Sequence, residues 1–155
     1  MYFVDLKLLH QRLAYMEQLV NYLLDEKHMP VNPGDDGGSL TIPLAYERAL
    51  HLAIEIILDV GHQMIDGFMM RDPGSYEDVL DILVDEEVLT DQEGEQLKRL
   101  IAHRKQLVQH YTQVEHEKIQ SGVEEAQEAL QRFPERVKDY LTHQLGPVHA
   151  FKQGE

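Results

Sequence analysis

The chain is 155 residues long, carries no cysteine and has a formal net charge of −14. That length fits one domain able to bury its own core, and the absence of thiols excludes disulfides and thiolate metal sites and suits a reducing cytoplasm. The acidic balance opposes a passive nucleic-acid coat protein, because such a surface repels phosphate backbones.

The N-terminus, Met1 to Asp5, lacks a cationic leader before an apolar run, so no signal peptide is expected. No stretch approaches the ~20 consecutive apolar residues of a membrane span. From Asp5 to about Glu26, Leu6, Leu9, Leu13, Met16, Val20 and Leu23 recur in steps of three and four, a helical stripe with Asp5 as N-cap. Pro30, Pro33, Gly34, Gly37 and Gly38 break the pattern, and residues 28–42 read as an inserted flexible loop. Pro43 suits the first turn of a second helix that runs to about Met70. Its apolar residues cover more than one face, which suggests burial on several sides, including against a second subunit.

Arg71 to Ser75 reads as a turn, with Ser75 capping a short helix that turns Tyr76, Val79, Leu80 and Leu83 inward. Thr90 and Glu93 form a capping box that opens a long helix to about Lys118. Gly122 separates a last helix, about Val123 to His143, which Pro134 should bend or interrupt and Gly146-Pro147 should end. Five helical segments without an alternating run give an all-α helix bundle, here a single domain over residues 1–155.

Two constellations carry chemistry. On the second helix Glu47, His51, Glu55, Asp59 and His62 recur at steps of four, four, four and three. They form either a structural polar seam or a metal site. Without a Glu-x-x-His pair, which di-metal bundles use on two helices, the seam reads as structural, and no metal or cofactor is expected. On the fourth helix His103, Arg104, His110 and Tyr111 cluster. At ~100° per residue, Arg104 lines up with Tyr111 and His103 with His110. A guanidinium, two imidazoles and a phenol on adjacent strips could grip a phosphate and move a proton. Surface histidines and an arginine paired with an acid are the plainer reading.

The segment Leu100-Ile-Ala-His-Arg-Lys-Gln-Leu-Val-Gln-His-Tyr111 resembles the motif of the HepT-like family of the HEPN superfamily. The central stretch Glu47 to Asp59 and the turn Asp66 to Tyr76 resemble the same family, and within it the YutE-like group of bacterial proteins. The resemblance implies a HEPN-type bundle that homodimerises, with both motifs facing a shared cleft. It implies a metal-independent endoribonuclease acting as a toxin, and a nucleotidyltransferase-type antitoxin that can modify the motif tyrosine with AMP. The family pattern runs Arg, Asn, any, Leu, Val, His, any, Tyr. Arg104, Leu107, Val108 and Tyr111 match it, Lys105 replaces the asparagine, and Gln109 replaces the histidine. In such a mechanism the histidine takes the ribose 2′-hydroxyl proton and the arginine stabilises charge on phosphorus. Glutamine cannot take that proton near neutral pH. The site expected here is therefore Arg104, His110 and Tyr111, with Lys105, Gln109 and His103 around it. His110 substitutes for the missing base only if the helix is irregular there. Otherwise the fold persists as a catalytically degenerate dimer that binds a protein or a nucleotide.

Overall fold

A computed structural model describes residues 4–31 and 39–146. The centre of the expected inserted loop and Pro147 lie outside the described residues. Seven α-helices follow in chain order: α1 (Leu6–Leu24), α2 (Thr41–Gly67), α3 (Tyr76–Asp85), α4 (Asp91–Ile101), α5 (Arg104–Val108), α6 (His116–Glu125) and α7 (Gln127–Leu145). No strand occurs among the described residues, and no helix there is long and apolar enough to cross a membrane. The all-α bundle is as the periodicity predicts.

Helix starts follow local chemistry. The Asp5 carboxylate accepts the Leu8 N–H at 3.0 Å, and Ser75 Oγ accepts the Asp78 N–H at 3.1 Å. Thr90 and Glu93 close the capping box in both directions, at 3.1 and 2.9 Å. Glu93 is otherwise buried, and its carboxylate takes the Arg136 Nε–H from α7 at 3.0 and 3.1 Å. One charge-assisted contact thus ties the start of α4 to α7.

The central helix is α2, which packs on α1, α3 and α5. Its Tyr46, Leu50, Ile54, Ile57 and Met64 are fully buried, with Leu9, Leu13 and Met16 of α1, Leu80 of α3 and Phe133 of α7. Ala49, Ile56 and Leu58, on other faces of α2, are also buried within one chain. Its Leu44, by contrast, stays 55% exposed, and Leu52 is only partly buried. At Gly61 an added Cβ would lie 2.5 Å from Val79 Cγ1, so this glycine sets how closely α3 approaches α2.

Four local expectations differ from the structure. The long helix from Thr90 to Lys118 is three pieces, α4, α5 and α6. Gly122 lies inside α6 and separates nothing; the break falls at Ala126. Pro134 sits within α7, which runs uninterrupted from Gln127 to Leu145, and its ring is buried in the core. The apolar contact of that ring offsets the one backbone hydrogen bond it forfeits. Tyr76 does not face inward: it begins α3 and is 49% exposed.

Candidate functional site

The motif segment lies where the fourth helix fails. After Ile101 the chain turns through Ala102 and His103, makes the five-residue α5, and, past a Gln109 whose backbone is still helical, leaves helical geometry at His110. The Lys105 carbonyl accepts both the Gln109 N–H at 2.8 Å and the His110 N–H at 3.3 Å, which closes the short helix. His110 adopts φ −108° and ψ 43°. A 3₁₀ turn over Tyr111–Gln113 follows, with the Gln106 side chain donating to the Gln113 carbonyl at 3.4 Å. No glycine or proline causes this break. Apart from its two glutamines, Val108 to Val114 is made of weak helix formers, and anchors stand on both sides of it. Arg104 is tied to α2 on one side, and His116 of α6 donates from Nε2 to Glu47 at 2.8 Å on the other.

Arg104 is the first residue of α5, and its Nε–H donates to Glu55 Oε1 of α2 at 2.5 Å. Its guanidinium carbon lies 5.0 Å from the centroid of the Tyr76 ring. The Glu55 hydrogen bond raises the arginine's already high pKa, against a smaller opposing effect of burial, so Arg104 is a permanent cation. Among the described residues its two terminal nitrogens make no hydrogen bond. Glu55 thus holds one side of the guanidinium, Tyr76 covers a face, and the terminal edge is left to meet an anion.

Glu55 has a second neighbour. Arg48 donates from Nη1 to His51 Nδ1 at 3.3 Å, which makes Nδ1 the acceptor and leaves the ring proton on Nε2, 3.5 Å from Glu55. Beyond this His51–Glu55 pair, the polar seam makes its contacts one residue at a time. Glu47 faces His116, Glu55 faces Arg104, Asp59 lies 3.7 Å from Arg12, and His62 Nδ1 donates to the Leu58 carbonyl at 2.8 Å. No three His, Asp or Glu side chains among the described residues converge as metal ligands.

The other expected residues separate. His103 is half-buried, and its ring rests against Gly122 of α6, where an added Cβ would stand 2.5 Å from Nε2. Burial lowers its pKa despite the Glu125 carboxylate, so it is neutral at neutral pH. Lys105, Gln109 and His110 are exposed, and Tyr111 is 67% exposed. The expected alignment of Arg104 with Tyr111, and of His103 with His110, does not form, because it requires one continuous helix. Arg104, His110 and Tyr111 make no hydrogen bond to one another among the described residues. Sequence reading missed two residues of this site. Glu55 was visible in the seam, but its partner was not, and Tyr76 was read as core.

The family described as Ribonuclease HepT-like matches residues 38–137. The Bacillus subtilis (strain 168) protein named "Putative RNase YutE" is 45% identical over 152 residues, covering 98% of this chain and 100% of that protein. The solved structure of YutE, described as a cytosolic protein, superposes with a TM-score of 0.87 at 46% identity, over 97% of this chain and 100% of that one. A Shewanella oneidensis HEPN toxin, solved tri-AMPylated in complex with its MNT antitoxin, superposes with a TM-score of 0.72 over 88% of this chain and 99% of that chain. At 14% identity that likeness is one of fold alone.

Proposed function

This chain belongs to the HepT-like ribonuclease family, and from that premise we propose that it is a single-domain, cytoplasmic, metal-independent RNA endonuclease of the toxin type. Arg104 holds the scissile phosphate through its free terminal edge. His110 takes the proton of the ribose 2′-hydroxyl as that oxygen attacks phosphorus, and returns it to the departing 5′-oxygen. Tyr111, exposed one residue further on, supports the site or is the position that is modified. One observation carries this reading: the backbone leaves the helix after Val108. In a helix, residue 110 would stand about 100° from residue 109, and the imidazole would face elsewhere. In the observed turn helical phase no longer applies, so His110 can serve where the family places its histidine at the position of Gln109.

The protein works as a homodimer in this proposal, with the two motifs sharing a cleft. Its partner is a nucleotidyltransferase-type antitoxin. The exposure of Tyr111 suits a phenol that accepts AMP. A second reading, a catalytically degenerate dimer that binds protein or nucleotide, is favoured by Gln109 itself and by the carboxylate of Glu55 already seated on Arg104.

RNA cleavage in EDTA by wild type, Arg104→Ala, His110→Ala and Gln109→His decides between them. Cleavage abolished by Arg104→Ala and lowered ~10²–10⁴-fold by His110→Ala supports the first reading. An inert wild type that gains activity only as Gln109→His establishes the second.

A further inference from the structure

Beside Arg104, on the α2–α3 corner, a shallow pocket of about 440 Å³ is lined by His62, Pro73, Gly74, Ser75, Tyr76 and Glu77. Its size lies within the roughly 300–1,000 Å³ of small-molecule sites. Tyr76 is shared between this pocket and the arginine, since the guanidinium lies over its ring.

We propose that this pocket is a subsite for an unpaired nucleobase next to the phosphate held by Arg104, which extends the ribonuclease reading and rests on it. Three features select that occupant. The half-exposed phenol ring and Pro73 offer the flat, apolar wall on which bases stack. The start of α3, which would otherwise attract an anion, already has a carboxylate beside it: Asp78 accepts the Gly74 N–H at 2.8 Å and Arg71 at 2.7 and 2.8 Å, and its own N–H is capped by Ser75 Oγ at 3.1 Å. A phosphate is therefore disfavoured there, and a neutral ring is not. Beside the Ser75 and Tyr76 hydroxyls, which can donate or accept, two side chains on the wall are acceptors. His62 spends its Nδ1 proton on the Leu58 carbonyl, which leaves Nε2 as an acceptor in the neutral ring, and Glu77 adds a carboxylate. Two acceptors suit a base with an exocyclic amino group, as in adenine, better than uracil, which lacks one.

The test is fluorescence anisotropy at pH 8 with single-stranded RNA of A-rich and U-rich sequence, and with abasic versions of the A-rich strand. Wild type is compared with Tyr76→Ala and Tyr76→Phe, and cleavage is read in the same samples. Stacking predicts that Tyr76→Ala weakens binding of the A-rich strand about 5- to 150-fold and that Tyr76→Phe restores it. It also predicts tighter binding of A-rich than U-rich RNA, and a much smaller loss from Tyr76→Ala on abasic than on intact RNA, because only the part that acts through Arg104 remains there. Equal losses on intact and abasic strands would overturn the subsite, because Tyr76 would then act only through Arg104. A change in sedimentation on Tyr76→Ala would overturn it in favour of a contact between chains, and free AMP competing as well as the oligonucleotide would overturn the assignment to RNA. Tyr76-dependent binding without cleavage keeps the subsite and removes the nuclease reading; cleavage indifferent to Tyr76 does the reverse. No binding at all removes both.

Discussion

The contact between Glu55 and Arg104 should have a measurable coupling energy, because both partners are only partly screened. Their side chains are 31% and 26% exposed, and the Nε–Oε1 distance is 2.5 Å. Fully exposed pairs are worth about 0.2–1 kcal/mol, and hydrogen bonds to charged groups about 1.5–3 kcal/mol. A pair between these limits should couple by about 1–2 kcal/mol. Urea unfolding of wild type, Glu55→Gln, Arg104→Gln and the double variant measures it as a cycle. A coupling below about 0.3 kcal/mol, within the additivity of independent sites, would refute the claim that Glu55 fixes the guanidinium. The same variant separates two effects on function. Glu55→Gln removes a competing negative charge, so affinity for RNA should rise. It also loosens the aim of Arg104, so the cleavage rate at saturation should fall. Unchanged affinity and rate would show that Glu55 neither competes with RNA nor orients the arginine.

Three further outcomes follow from the packing. Gly61→Ala gains about 1 kcal/mol of helix propensity but forces a methyl against Val79, whose branched side chain has one comfortable rotamer in a helix. Overpacking costs about 1–3 kcal/mol, which leaves a net loss of up to about 2 kcal/mol, so the melting temperature should fall by up to about 8 °C and recover in the Gly61→Ala/Val79→Ala double variant; a rise in the single variant would contradict the close approach. Glu93→Ala removes the capping box and the Arg136 contact together, about 2–3 kcal/mol, which thermal unfolding reads directly. Burial alone would raise the Glu93 carboxyl, but the Thr90 N–H and Arg136 outweigh it and hold it below its ordinary value. Its stabilisation is therefore present above the unfolded value and fades as pH falls through the lowered one, so the deficit of Glu93→Ala relative to wild type should shrink in acid. Asp78 is pulled down to about 2 by Arg71 and the Gly74 N–H. Its carboxyl resonance should still report the ionised form at pH 3, and the Arg71–α3 corner should loosen only as pH falls toward 2.

The bundle was legible because its signals are local. The stripe of α1, the Ser75 cap and the Thr90–Glu93 box each depend on residues within one or two turns, and each stands where the spacing puts it. The glycine and proline readings went wrong for the opposite reason. Gly122 looks like a separator in sequence, but in space it is the room that the His103 ring occupies. Pro134 looks like a breaker, but its buried ring packs in the core and the helix carries on. In both cases a contact from a distant segment decides what a local rule would have decided alone.

The site shows the same division at higher stakes. Motif spacing names Arg104, Gln109, His110 and Tyr111, but assigning them to one face assumes a helix that the chain does not make. The sequence signal of the break is faint: Val108, His110, Tyr111, Thr112 and Val114 are weak helix formers, but Gln109 and Gln113 are not, and there is neither glycine nor proline. What sets the turn is two cross-helix contacts, Glu55 to Arg104 and Glu47 to His116, and both acids come from the seam on α2. The seam and the motif, read separately as two constellations, are therefore one. The carboxylates of α2 anchor the segments on either side of the turn that carries Gln109 and His110. Loss of the family histidine at position 109 consequently does not decide whether the chain is inert, since the neighbouring imidazole lies in a turn and not on the wrong face of a helix. Removing Glu47 tests this without touching the motif. Glu47→Gln should loosen α6 against α2 and lower any His110-dependent cleavage, while a Gln109→His background should be equally sensitive. A variant that unlatches His116 and leaves cleavage unchanged would show that the turn holds its shape without the seam.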